Sequence, residues 1–187
     1  ASLDSVNITR TTIDPGPGPI HYAALDGGHV WPYTNWFTAA TNIQDAADAA
    51  DWGDKVLVTN GIYYMQEVVG IERGITLQSV NGLNYTIVDG QQSVGCLLLM
   101  TTNIMVDGFT ITNGYTGYGG GIQSWAPATI QNCLITGNRA SYGGGIVGYG
   151  GFTLSNCQII GNEAYTNEDS YSGLGGGVLA EEFTMKD

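Results

Sequence analysis

Residues 107–130 read DGFTITNGYTGYGGGIQSWAPATI, and residues 131–154 read QNCLITGNRASYGGGIVGYGGFTL. A third copy begins as SNCQIIGNEA at Ser155, takes in the eight residues TNEDSYSG, and resumes as LGGGVLAEEFTM at Leu174. Three columns keep a spacing of 24: Phe109 with Cys133 and Cys157, Ile111 with Ile135 and Ile159, and Val106 with Ile130 and Leu154. Glycine triplets start at Gly119 and Gly143, and again at Gly175, where the eight inserted residues have displaced the third. Self-similarity at a period of 20–50 residues is the mark of a solenoid or a related array.

A unit of this length also suits a leucine-rich repeat, but that pattern needs closely spaced leucines that are missing here. The unit instead holds three short apolar alternations separated by glycine and asparagine. Each is too short for a helix and rich in β-branched residues. We therefore expect three short strands per turn of a parallel β-solenoid. Alternation assigns the faces: Ile130, Cys133 and Ile135 point inward, Gln131 and Leu134 outward. The step of three from Ile130 to Cys133 breaks the period of two and puts a bend at Asn132, repeated at Asn156. Asparagine tolerates the left-handed backbone that such a bend requires. A second bend pairs Asn138 with Asn162, and stacked asparagines can hydrogen-bond from coil to coil. Cys133 and Cys157 stack about 4.8 Å apart in the same inward column. Parallel side chains are poorly aimed for a disulfide, so both are expected to be buried free thiols.

Upstream, KVLVTN, GITLQSV, YTIVDG, GCLLLM and NIMVDGFTIT read as further strands of less regular coils, about five coils in all. Before them, TNIQDAADAADWGD carries a helical stripe of Ile43, Ala46, Ala47 and Ala50. Thr41 or Asn42 can cap its N-terminus, Asp45 sits in its first turn, and Gly53 can close it. A solenoid exposes an apolar end, and this short α-helix is expected to cap it.

Composition narrows the function. The chain has 29 glycines without a collagen period, and 43% of its residues are hydrophobic, too many for a disordered tract. Five cations face 17 carboxylates, a formal net charge of -12. That argues against nucleic acid, anionic membrane and anionic polysaccharide as partners. No apolar run of about 18 residues is present, so no membrane insertion is expected. Three cysteines, Cys96, Cys133 and Cys157, do not make a disulfide framework, and no Cys/His spacing marks a metal site. Low charge, polar β-rich composition and a first residue other than methionine lead us to expect an exported chain, extracellular or on the cell surface.

HYAALDGG at 21–28, followed by ATNIQDAADAADWGDKVLVTNGIYYMQE at 40–67, is similar to the N-terminal cap and first coil of pectin-lyase-like right-handed β-helix proteins. TIVDG, VDGFTITNG, GGGI and NCLITGN resemble the repeats of large bacterial surface and secreted proteins of that superfamily. They loosely resemble polymorphic outer-membrane protein repeats as well. The resemblance covers residues 21 to about 180. It implies an all-β, right-handed, single-stranded parallel β-helix with a short N-terminal capping α-helix. It implies little about activity, because that superfamily hosts lyases, hydrolases, adhesins and fibres.

Candidate chemistry is sparse. Lyases of the resembled superfamily pair an arginine or lysine base with acidic calcium ligands, and only Arg139 lies in the regular coils, with Tyr115 and Glu163 as repeat partners. A hydrolase needs two carboxylates about 5–9.5 Å apart. Asp89 and Asp107 are the weak catalytic candidates, each in a VDG turn and able to pair only if stacked on adjacent coils. Glu163, Glu168 and Asp169 gather near the insertion, where Ca2+ would suit oxygen ligands; no other cofactor is expected. Tyr118 with Tyr142, and Trp125 with Tyr149, are each one repeat apart. They are the candidate ligand-binding residues, for sugar rings or a neighbouring molecule, although aromatic columns also stabilise a sheet.

The expected organisation is an N-terminal arm at 1–20, an N-terminal strand and capping helix at 21–54, and β-helix coils at 55–187 with an insertion near 165–172. Ser5 to Thr12 alternates like a strand, and PGPGP makes a stiff hinge. With no polar segment after GGGVLAEEFTMKD, the last coil is expected to present an open edge. An arm that donates a strand to that edge would build a head-to-tail filament. The expected function is a secreted or cell-surface structural or adhesive protein whose partners are itself and glycans. The alternative is a carbohydrate-active lyase or hydrolase fragment.

Overall fold

The computed structural model describes residues 18–166 and 173–186. Most of the expected N-terminal arm, and most of the insertion with Glu168 and Asp169, lie outside the described residues.

The chain begins with β1 (Ile20–Ala23) and a seven-residue helix α1 (Ile43–Ala49). The first turn of the solenoid is β2 (Lys55–Val58), β3 (Gly61–Tyr64) and β4 (Val69–Ile71). The second is β5 (Thr76–Ser79), β6 (Thr86–Asp89) and β7 (Leu97–Leu99). The third adds a strand: β8 (Ile104–Asp107), β9 (Thr110–Thr112), β10 (Tyr115–Tyr118) and β11 (Ile122–Ser124). The fourth repeats it as β12 (Ala128–Gln131), β13 (Leu134–Thr136), β14 (Arg139–Tyr142) and β15 (Ile146–Gly148). The fifth is β16 (Phe152–Ser155), β17 (Gln158–Ile160), β18 (Glu163–Ala164) and β19 (Val178–Ala180), and β20 (Phe183–Lys186) follows. Equivalent strands pair in parallel, so the chain is an all-β parallel solenoid of about five turns. Its sheets have the orders β1-β2-β5-β8-β12-β16-β20, β3-β6-β9-β13-β17, β4-β7-β11-β15-β19 and β10-β14-β18.

The expected three strands per turn hold for the first two turns only. In the last three, a fourth strand fills the connection between the second and third sheets. The connections are residues 65–68, 90–96, 113–121, 137–145 and 161–177, so they grow from four to seven to nine residues, repeat at nine, and reach 17 where the insertion falls. β10 shows little apolar alternation, because its residues are largely exposed and Gly117 has no side chain. A rule that seeks one buried face therefore does not see it.

Inward and outward faces follow the alternation. Ile130, Cys133 and Ile135 are fully buried, and Gln131 and Leu134 are half-buried. The register is the 24-residue repeat itself, with Ile130 beside Val106 and Leu154, and Ile135 beside Ile111 and Ile159. The first bend is left-handed at Gly108 (φ 84°), Asn132 (53°) and Asn156 (49°). At the second bend the left-handed residues are Asn113 (55°), Gly137 (66°) and Gly161 (64°), one position before the asparagines that we paired there.

Asn138 and Asn162 do a different job. Asn138 is fully buried. Its Nδ2 donates to Ile111 O (2.9 Å) and to Asn162 Oδ1 (3.0 Å), and its Oδ1 accepts from Gly114 N–H (2.8 Å). Asn162 repeats the bond with Ile135 O at 2.8 Å. These amides satisfy backbone groups that would otherwise be buried short of a partner. The glycine triplets make room for them. A Cβ on Gly121 would lie 2.7 Å from Gly145 O and 2.9 Å from Asn138 Nδ2, and Gly145 meets Asn162 in the same way.

Helix α1 starts as expected, with Asn42 Oδ1 accepting from Asp45 N–H at 2.8 Å. It ends earlier than Gly53. Ala50 is already extended, and Asp54 Oδ2 takes the Asp51 N–H (2.8 Å) to close a separate turn. Ile43, Ala46 and Ala47 join the same apolar cluster as Ala23, Val56 and Ile71. His21 and Asp54, both 5% exposed, meet at 3.2 Å and tie β1 to that turn, while His21 Nδ1 lies 2.8 Å from Pro32 O. No helix among the described residues is long and apolar enough to cross a membrane.

Candidate functional site

Asp89 and Asp107 lie in different sheets, at the ends of β6 and β8. Asp89 stands in register with Tyr64 and Thr112, and Asp107 with Gln78 and Gln131, so they are not stacked on each other. Each carboxylate is held by amides. Asp89 accepts from Gln91 N–H (2.8 Å) and Asn113 Nδ2 (3.0 Å). Asp107 accepts from Gln78 Nε2 (2.9 Å) and Asn132 Nδ2 (2.7 Å). Asp107 thereby belongs to an outer chain of side chains that runs from Lys55 through Gln78 and on through Asn132 to Asn156. Glu163 faces Arg139, with its two oxygens 3.0 and 3.2 Å from the guanidinium. Among the described residues no three His, Cys, Asp or Glu side chains gather as metal ligands would.

The aromatic residues do come together. Tyr118 and Tyr142, in register on β10 and β14, stack at 5.0 Å between ring centroids and 8° between planes. Tyr149 follows β15 close enough that, after burial, the neighbouring Tyr118 and Tyr142 hydroxyls push its own pKa up. Trp125 occupies the position of Tyr149 one coil earlier and is half exposed. Two more rings that the repeat spacing does not pair, Tyr115 and Tyr165, stack at 5.4 Å and 6°. The neighbouring Tyr165 hydroxyl, foremost, raises the Tyr115 pKa. Arg139 lies 5.1 Å from the centre of the Tyr165 ring, within cation–π range. Fifty residues separate Tyr115 and Tyr165, which is not a multiple of 24, so a search by period passes over them.

Beside these stacks lies a groove of about 450 Å3. It forms at the step where the connection lengthens from seven residues to nine and the fourth sheet begins. Val68, Val94 and Leu98 supply apolar surface, Tyr115 and Tyr118 supply rings, and Gln123 supplies an amide. Among the described residues, none that lines it is charged. Its size falls within the range of about 300–1,000 Å3 usual for small-ligand sites.

The cysteines are free. Burial, foremost, pushes the Cys96 thiol up to about 12. Cys133 is pushed well above the ordinary thiol value by the neighbouring Cys157 thiol and by burial, and the Cys133 thiol in turn holds Cys157 below that value. A search of protein-family models, of curated proteins and of solved structures finds no match to this chain.

Proposed function

We propose that this chain is a non-catalytic adhesive β-helix, extracellular or on the cell surface, built on the pectin-lyase-like plan. The observation that carries this reading is how the polar groups are used. The two candidate carboxylates are held in structural amide bonds, whereas the rings of Tyr115, Tyr118, Trp125 and Tyr149 are exposed, the first two stacked on Tyr165 and Tyr142. A catalytic pair needs carboxylates that share a substrate; Asp89 and Asp107 stand in separate sheets. Right-handed winding is part of the proposal, supported by the strong preference of parallel crossovers for that hand. So is a capping role for α1, supported by its apolar side, which packs with β1, β2 and β4. Glycans are the proposed partners, and calcium is no part of the reading.

Self-association is proposed as well. Phe183 and Met185 continue the inward columns of Phe152 and Leu154, yet they are 44% and 70% exposed on an edge strand. In a longer chain the next coil would cover them; between separate copies the same edge is a head-to-tail contact.

Co-sedimentation with insoluble polysaccharides and cell-wall fractions, with assay of reducing and unsaturated ends, tests the reading. Retention without release of ends is the expected result. Release of ends, or a protein that neither sediments with any fraction nor self-associates, overturns it.

A further inference from the structure

We infer that the groove at the start of the fourth sheet binds a neutral polysaccharide chain, whose pyranose rings pack on Tyr118 and Tyr115 over the apolar floor of Val68, Val94 and Leu98. The inference rests on the adhesive reading for its ligand class and assigns that class to one place.

Charge selects the ligand first. The chain carries a net charge of -12, and no cation among the described residues lines the groove. The nearby Arg139 already has its carboxylate in Glu163. An anionic chain would enter against the field of the whole protein and meet no neutralising group. Uncharged ligands carry no such penalty.

Shape selects second. In a stacked pair each ring covers one face of its partner. Tyr142 covers Tyr118 from the fourth turn, so the other face of Tyr118 looks toward the second turn, where the groove lies. A flat aromatic face beside apolar surface matches the C–H face of a pyranose. The hydroxyls at the ring edge meet polar groups that also line the groove: the Gln123 amide, Ser93 and Thr116. Gly117 leaves the wall bare between the two tyrosines, for a Cβ there would meet nothing within 4 Å.

The backbone adds a polar contact and also argues against a peptide. β10 is the first strand of its sheet and has no partner strand on the second turn. Tyr115 N–H bonds to Val94 O at 2.9 Å, so by alternation the N–H of Gly117 points the same way, into the groove. One free N–H on this edge can hydrogen-bond a sugar hydroxyl. The edge is too short for strand addition, which draws its affinity from a row of main-chain bonds.

Titration of isotope-labelled protein with β-1,4-linked hexasaccharides of glucose, mannose and xylose tests the assignment, with polygalacturonate and an extended neutral peptide alongside. We expect at least one neutral hexasaccharide to shift the amides of Gly95 and Gly117 and the Gln123 side chain. Gly117→Leu fills open space, so it is expected to keep the wild-type melting temperature and to weaken binding tenfold or more; Tyr118→Ala is expected to weaken it to a similar degree. Wild-type binding that both variants leave unchanged would place the glycan elsewhere, which overturns the groove and leaves the adhesive reading standing. The groove is overturned in the same way if no hexasaccharide binds although the protein sediments with cell walls, or if the peptide or polygalacturonate alone moves Gly117.

Discussion

Asn138→Ala removes a side chain that bridges three coils. In the folded protein its Oδ1 accepts from Gly114 N–H and its Nδ2 donates to Ile111 O, both inside the core. Alanine leaves the Gly114 N–H without an acceptor and the Ile111 carbonyl short of a donor. A buried orphan costs about 1–3 kcal/mol, and a carbonyl with a second lone pair stands at the low end. Asn162 Oδ1 loses less, because Asn138 N–H still donates to it at 3.0 Å. The sum is about 3 kcal/mol. For a chain of 187 residues, at roughly 2–4 °C per kcal/mol, the melting temperature should fall by about 6–12 °C. The control is Asn156→Gly. Asn156 is exposed and left-handed, and its column already contains a glycine at Gly108, so the change should stay within about 0.5 kcal/mol. Because solenoid stability is partly local, the decisive assay is native-state hydrogen exchange. The Gly114 amide should lose protection in Asn138→Ala and keep it in Asn156→Gly. An Asn138→Ala protein that melts within about 2 °C of wild type (a bound of about 1 kcal/mol), with Gly114 still protected, would show that the buried amide does not carry these bonds.

Two further outcomes follow from the same geometry. Gly121→Ala puts a Cβ 2.7 Å from the fixed Gly145 carbonyl and should destabilise by about 3 kcal/mol in denaturant unfolding, whereas Gly117→Ala, in open space, should change little. Alkylation followed by mass spectrometry should label the half-buried Cys157 first, faster at pH 8 than at pH 6, because the thiolate reacts and the neighbouring Cys133 thiol holds the pKa of Cys157 below the usual thiol value; the buried Cys96 and Cys133 should resist until the protein unfolds. Equal labelling of all three cysteines in the native protein would contradict the burial and the pairing.

Much of the architecture was legible because a solenoid brings together residues one repeat apart. The column of Phe109, Cys133 and Cys157 in the sequence is the column in space, and the left-handed bends fall on Asn132 and Asn156 where the alternation slips. The same logic paired Tyr118 with Tyr142. It paired Asp89 with Asp107 as a condition only, and the 18 positions between them are not a full coil, so they fall in different sheets.

The periodic pattern alone was enough for the parallel solenoid, its register and its buried columns, since those depend on alternation and spacing. Where the coil widens into a fourth sheet became visible only in three dimensions, and with it the groove and the stack of Tyr115 on Tyr165. These depend on how far a connection reaches across the solenoid and on a long side chain that leans past its neighbours, and neither is periodic along the chain.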